Sequence, residues 1–390
     1  MMLLLKNCEI YSPEYLGKKD ILMSGGKILV VSEDLNKYAQ LSEVTVLECD
    51  KQMAFPGFVD SHVHICGGGG EGGFKTRTPE IKMTDLTAAG VTTVVGCLGT
   101  DGMGRNMANL ISKAKGLKEE GLSAYVYTGS YQVPVRTLTG DVVKDIMFID
   151  EVIGVGEIAI SDHRSSQPSK EILTKLVADA RMGGLLAGKA GVAHMHLGSG
   201  KAMLDIINEI IRETELPRTQ FHPTHVNQNP ELFSCAVEYA KEGGYVDFTT
   251  STTPQYIAEG EVKAAEALKI CLEKGVSKRH ITFSSDAQGS LPCFDENGEF
   301  EGLKIGRVSS LYESVREAIM ELNVEIEDAI RVITENPANI LQLKNKGRIE
   351  KGMDADIVLV DDRNYEIQTV ISKGIIMCRD GAPVIGDMFE

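Results

Sequence analysis

The segment DSHVHICGGGGEGG, residues 60–73, sets two imidazoles two positions apart and follows them with four glycines and one carboxylate, Glu71. Strand side chains repeat every two residues, so His62 and His64 share a face and can reach one divalent cation together. Glu157 stands inside the apolar run VIGVGEIAI, and His196, His225 and Asp286 close GVAHMHLG, FHPTHV and HITFSSD. Imidazoles and carboxylates converging from several strand ends suit zinc or a similar ion. Glu157 is the most telling, because an ionised carboxylate within a buried strand is costly unless it is paired or holds a metal. A lone histidine is usually an ordinary core or surface group, and His163, His194, His222 and His280 are read that way. Residue type does not separate His194 from His196, or His222 from His225. Position does, since the later member of each pair lies nearer the strand's C-terminal end.

Such groups need a scaffold that brings them to one mouth. Eight short runs, GFVDSHVH, GVTTVVGC, SAYVYTGSY, GVGEIAIS, GVAHMHLG, FHPTHV, YVDFTTS and HITFSSD, recur along the chain, with helically spaced segments such as NMANLISKAKGLKEEG and KAMLDIINEIIRET between them. Strand and helix alternating eight times predict an α/β fold, a (β/α)8 TIM barrel over residues 56–345, with the active site at the C-terminal ends of its strands. The flanks, 1–55 and 346–390, alternate apolar and polar residues around glycine-containing turns, the mark of antiparallel strands. Neither flank is an adequate sheet alone. Together they are expected to form one small β-sandwich domain built from both termini.

With 390 residues, 43% of them hydrophobic and 25% charged, the chain can bury a large core. Forty basic residues against fifty-six acidic ones give a formal charge of −16. No basic run interleaves with aromatics, which argues against nucleic acid and anionic membranes as partners. The apolar run in MMLLLKNCEIYSPEY is too brief for a signal-peptide core, and no stretch is long enough to span a bilayer, so a cytoplasmic location is expected. Eight scattered cysteines without a C-x-x-C pair suit thiols in a reducing compartment.

PGFVDSHVH together with GRIEKGMDADIVLVD resembles the amidohydrolase superfamily of metal-dependent hydrolases. Within it, HICGGGGEGG, TRTPE, VVGCLGTDG, TGSYQVPVRTLTG, AISDHRSS, PTHVNQN and SSDAQGSLP resemble the isoaspartyl (β-aspartyl) dipeptidase family, nearly end to end. The resemblance implies hydrolysis of the β-aspartyl bond in dipeptides by a binuclear zinc site, with His62, His64 and Asp286 on one ion and His196 and His225 on the other. The family commonly bridges its ions with a carboxylated lysine; here the matching position is Glu157, a carboxylate already. The same carry-over makes Asp286 the proton shuttle, able to pass a proton from water to the departing amine. Tyr131 matches a carbonyl-polarising tyrosine. Glu71 would face the substrate's α-ammonium, Gly69, Thr100 and Ser290 its α-carboxylate, and Arg164 the carboxylate of the leaving residue. Glycines there let backbone N–H groups approach a carboxylate that a side chain would obstruct. Gln228 stands where the family has another arginine, so that grip brings no charge. A homo-oligomer, an octamer by family pattern, is implied as well.

Two rivals remain at this stage. Another cyclic-amide hydrolase, dihydroorotase-like or hydantoinase-like, would have no use for Glu71, because its substrates lack a free α-ammonium. A non-catalytic scaffold relative would show a broken donor set, and every metal position here holds a competent ligand.

Overall fold

In the computed structural model, residues 2–294, 300–386 and 388 are described. Eight parallel strands line the main body: β1 (Phe58–Val63), β2 (Val91–Gly96), β3 (Ser123–Thr128), β4 (Val152–Ile160), β5 (Val192–Leu197), β6 (Phe221–Thr224), β7 (Val246–Thr249) and β8 (Ile281–Ser284). The first six form one continuous sheet and the last two a parallel pair. Side chains and short bridges close the ring. Asp286 N–H donates to His62 O at 3.1 Å, and His64 N–H donates to Ala287 O at 2.9 Å, laying the end of β8 beside β1. At the other seam, Thr224 Oγ1 donates to Asp247 Oδ2 at 2.7 Å, and the Asn227 side chain accepts from Thr249 N–H at 3.0 Å.

Almost every residue of these strands is buried, as expected of parallel strands covered on both faces. The helices between them obey local signals. Met107–Glu119 starts where the Asn106 side chain accepts from Asn109 N–H and buries Met107, Leu110, Ile111, Ala114 and Leu117. Pro230–Lys241 begins with proline in its first turn behind the Asn229 cap.

The termini build a second, nine-stranded sheet, and its hydrogen-bonded path is continuous. Strand Gln52–Pro56 pairs antiparallel with Ile357–Asp361, Pro56 opposite Ile357 and Gln52 opposite Asp361. That pairing joins the two flanks across the whole barrel. Leu3, Leu5, Ile10, Ile21, Ile357, Leu359 and Ile371 share its separate core. Buried Lys346 anchors this sheet to the barrel, its ammonium reaching Asp354 at 2.7 Å, Asp356, and the Ser123 hydroxyl of β3 at 2.7 Å.

Two local irregularities matter for the site. Along β4 and β5, Val155 faces Ala193 but Ile158 faces Met195, so β4 carries one extra residue at Gly156–Glu157. Along β1 and β2, Asp60 faces Val94 and Val63 faces Gly96, with the extra residue at Ser61–His62. Bulges of this kind turn a side chain away from the ordinary alternation.

Candidate active site

Both bulges aim a potential ligand at the barrel axis. His62 Nε2 lies 3.3 Å from Glu157 Oε2 and 3.5 Å from Asp286 Oδ1. His64 Nε2 lies 3.8 and 3.0 Å from the same two oxygens. Donors held at about 2.0–2.1 Å around one ion are separated by roughly 3–3.5 Å, so these four gaps lie close to the edges of a coordination shell. Moreover, His62 Nε2 and Asp286 Oδ1 are buried without a hydrogen-bond partner. Unpaired buried polar atoms of this sort call for a ligand.

Glu157 offers its other oxygen to a second group: Oε1 is 2.7 Å from His196 Nδ1 and 3.2 Å from His225 Nε2. One carboxylate thus faces two donor groups, and the ligand atoms of His62, His64, Cys97 and Glu157, and those of Glu157, His196 and His225, lie close enough together to hold a metal ion. His225 and Asp286 have φ of 61° and 51°, left-handed values that cost a non-glycine residue about 1–2 kcal/mol each. The strain falls at the ends of β6 and β8, where it turns the two side chains inward.

Electrostatics agree with the geometry. Burial pushes the Glu157 carboxyl up, but the His62 imidazole and hydrogen bonds from His196 and His225 outweigh it and hold the group well below the usual range. At Asp286 burial is likewise overcome by the imidazoles of His64 and His62, and the net shift is downward. Burial, reinforced by Glu157, raises the Tyr131 phenol well above its ordinary value, so it stays protonated and able to donate.

Above this floor lies a cavity of about 480 Å³ lined by Gly69, Glu71, Thr100, Tyr131, Arg164, Gln228 and Ser290 together with His64, His196, His225 and Asp286. All the site residues read from the sequence line it except the fully buried His62 and Glu157. Tyr131 Oη is 2.9 Å from His196 Nδ1. Arg164 Nη1 pairs with Glu71 Oε1 at 3.2 Å across the mouth. Gly69 has a φ of 68°, and a Cβ there would come within 2.5 Å of Thr76 O and 3.2 Å of Ser290 Cβ, so only glycine lets this loop close on Ser290. Arg105 holds the loop from behind, donating to Cys66 O at 2.8 Å and Thr78 O at 2.9 Å. Gln228 lines the same cavity, and its amide nitrogen donates to Leu197 O and to His225 O.

Three further side chains adjoin the site: Asp162 and Cys97, which the sequence did not single out, and His194, read there as an ordinary histidine. Asp162 accepts from Arg164 Nε at 3.0 Å and Nη2 at 2.8 Å, and its Oδ2 is 3.0 Å from His196 Nε2. Burial opposes its ionisation, but His196 and Arg164 more than offset that and hold the carboxyl far below its usual range. His194 puts Nε2 2.9 Å from His62 Nδ1, which leaves Nε2 of His62 facing the donor set. Cys97, at the end of β2, lies within the His62, His64 and Glu157 group. Of the remaining histidines, His222 is buried against Thr282, His163 is exposed at the rim, and His280 packs edge-on to Tyr245.

The model of the amidohydrolase family matches residues 53–377. Among solved structures, a β-aspartyl dipeptidase from the thermophilic, keratin-degrading Fervidobacterium islandicum AW-1, in complex with a β-Asp-Leu dipeptide, is 45% identical, with a TM-score of 0.92 over 100% of this chain and 99% of that one. A dihydropyrimidinase from Brevibacillus agri NCHU1002 shares the fold, with 16% identity and a TM-score of 0.68 over 99% of this chain and 97% of its own. A dihydroorotase from Lactobacillus johnsonii is 21% identical over 99% of this chain and 96% of its own length.

Proposed function

The chain belongs to the amidohydrolase family, and from that premise we propose that it hydrolyses the β-aspartyl peptide bond of dipeptides at a site for two zinc ions. One observation carries the reading: a single cavity sets the opposed Glu71–Arg164 pair above two donor groups that share Glu157. His62, His64 and Asp286 would hold one ion, His196 and His225 the other, and Glu157 would bridge them. Zinc held there would supply Lewis acidity to the scissile carbonyl and lower the pKa of the attacking water to about 7.

The protein's own groups do the rest. Asp286 takes a proton from the attacking water and delivers it to the departing amine. Tyr131, kept protonated by burial, donates to the oxyanion that develops on the carbonyl. Glu71 receives the α-ammonium and Arg164 the leaving residue's carboxylate, each exchanging its contact with the other for one with substrate. Backbone N–H groups near Gly69 and the hydroxyls of Thr100 and Ser290 receive the α-carboxylate. Gln228, uncharged and lining the cavity, assists at the leaving end, where Arg164 supplies the cation.

The same reading makes the enzyme a cytoplasmic homo-oligomer, an octamer by family pattern. Eight free cysteines and the exposed Phe148, Met182, Leu185 and Leu186 are consistent with it. Among the described residues no helix is long and apolar enough to cross a membrane.

Rates on β-Asp-Leu, α-Asp-Leu and dihydroorotate, with metal content measured on the same preparation, test the proposal. A strong preference for the β-linked dipeptide is expected. Faster turnover of dihydroorotate, or equal rates on the two dipeptides, would sink it.

A further inference from the structure

Sulfur lies against the deeper of the two donor groups. Cys97 is fully buried, and its N–H donates to Val63 O at 3.0 Å, which fixes it beside the strand residue between His62 and His64. Its Sγ is 3.7 Å from His64 Nδ1 and 4.0 Å from Glu157 Oε2. Ligand atoms of His62, His64, Cys97 and Glu157 all fall within 4.8 Å of one another. In this group His62, itself fully buried, has an Nε2 with no hydrogen-bond partner. Among the described residues, no other cysteine joins a group able to hold a metal.

A cysteine that only fills space has apolar atoms around its sulfur. Cys97 shares a core cluster with Val59, Val95 and Tyr127, yet its sulfur also meets a backbone carbonyl, an imidazole and a carboxylate, the last two already used by the mechanism.

We propose that the Cys97 thiolate is a protein ligand of the ion held by His62 and His64, adding a sulfur donor to a site otherwise made of nitrogen and oxygen. The inference rests on the metal reading given under Proposed function. On binding, the S–H proton leaves to solvent and the freed sulfur lone pair forms the bond to the metal, with no change of oxidation state. A thiolate favours zinc over manganese or magnesium, so Cys97 would set which divalent ion the deep position accepts.

X-ray absorption at the zinc edge of the zinc-loaded, unaltered protein gives the direct test. A sulfur scatterer at about 2.3 Å, beyond the nitrogen and oxygen shell at about 2.0–2.2 Å, is expected. Zinc bound with nitrogen and oxygen neighbours alone would overturn the inference and leave the dipeptidase reading standing. A protein that takes up no zinc would overturn both. Cobalt(II)-loaded protein should show a near-ultraviolet thiolate-to-cobalt charge-transfer band that Cys97→Ser lacks; survival of the band in that variant would assign it to another thiol and remove Cys97. In competition with a chromophoric chelator, Cys97→Ser should release zinc at least tenfold more readily while its manganese affinity stays within about twofold of the unaltered protein's. Equal losses for the two metals would mean that the side chain only packs. Should the variant not fold, the absorption spectrum of the unaltered protein decides alone.

Discussion

The floor of the cavity and its rim are built on opposite plans. Floor groups sit on strands or at their ends, nearly all of them buried, and are aimed by bulges in β1 and β4 and by left-handed backbone at His225 and Asp286. Rim groups sit on loops: the side chains of Glu71 and Arg164 are 34% and 31% exposed, and each is held by the other. The floor is positioned by backbone. The rim is positioned by charges that a zwitterionic substrate can replace one for one. Asp162 touches both, gripping Arg164 with the same carboxylate that meets His196.

Changes to the floor should therefore act on metal and turnover, and changes to the rim on substrate affinity. Glu157→Ala should have the largest effect, losing at least one metal per subunit and a thousandfold or so of kcat/KM, since two cations would repel without their shared anion; metal analysis with kinetics reads it. Two retained metals with near-normal turnover would end the claim that Glu157 joins the donor sets. Because a glutamate needs no carbon dioxide, apoprotein given zinc in bicarbonate-depleted buffer should recover fully, and a requirement for bicarbonate would contradict the assignment.

Asp286→Asn should keep most of the metal yet lower kcat by about 10²–10⁴-fold, the usual worth of a positioned acid–base group. Substantial remaining turnover would pass the proton to another residue. Asp162→Asn tests the contact between the two plans. It should weaken metal retention and raise KM together, by about 10–100-fold in the affected constants, whereas a change in only one of the two would show that Asp162 belongs to a single region. Glu71→Gln should have the smallest effect, raising KM for β-aspartyl dipeptides about tenfold with metal content untouched, because it removes one charge-assisted contact. Unchanged kinetics would place the substrate's ammonium elsewhere.

The contrast also accounts for what was legible in the sequence. Barrel strands announce themselves as continuous apolar runs, because parallel strands are covered on both faces. Ligand-type residues at their ends stand out by type alone, and Glu157 stands out because a carboxylate in such a run needs a reason. Register is another matter: the bulges at Ser61–His62 and Gly156–Glu157 exist only relative to the neighbouring strand, and nothing in either segment encodes them. Rim partners such as Glu71 and Arg164 lie 93 positions apart and became visible only through family likeness. Cys97 and Asp162 went unread for ordinary reasons. Cysteine in an apolar run looks like a small hydrophobe, and an aspartate before His163 and Arg164 looks like one more solvated charge.

One topological detail reaches beyond catalysis, to how the polypeptide is made. Strand Gln52–Pro56 finds its antiparallel neighbour Ile357–Asp361 only after some three hundred further residues have been synthesised, a wait of roughly 15–60 s at ~5–20 residues per second. Throughout that interval one edge of an apolar strand stands open on the nascent chain, the kind of surface that chaperones cover and that aggregates when they do not. The terminal sheet behaves as a clasp that can fasten only when the barrel between its halves has left the ribosome. Completion of the small domain thus certifies completion of the large one.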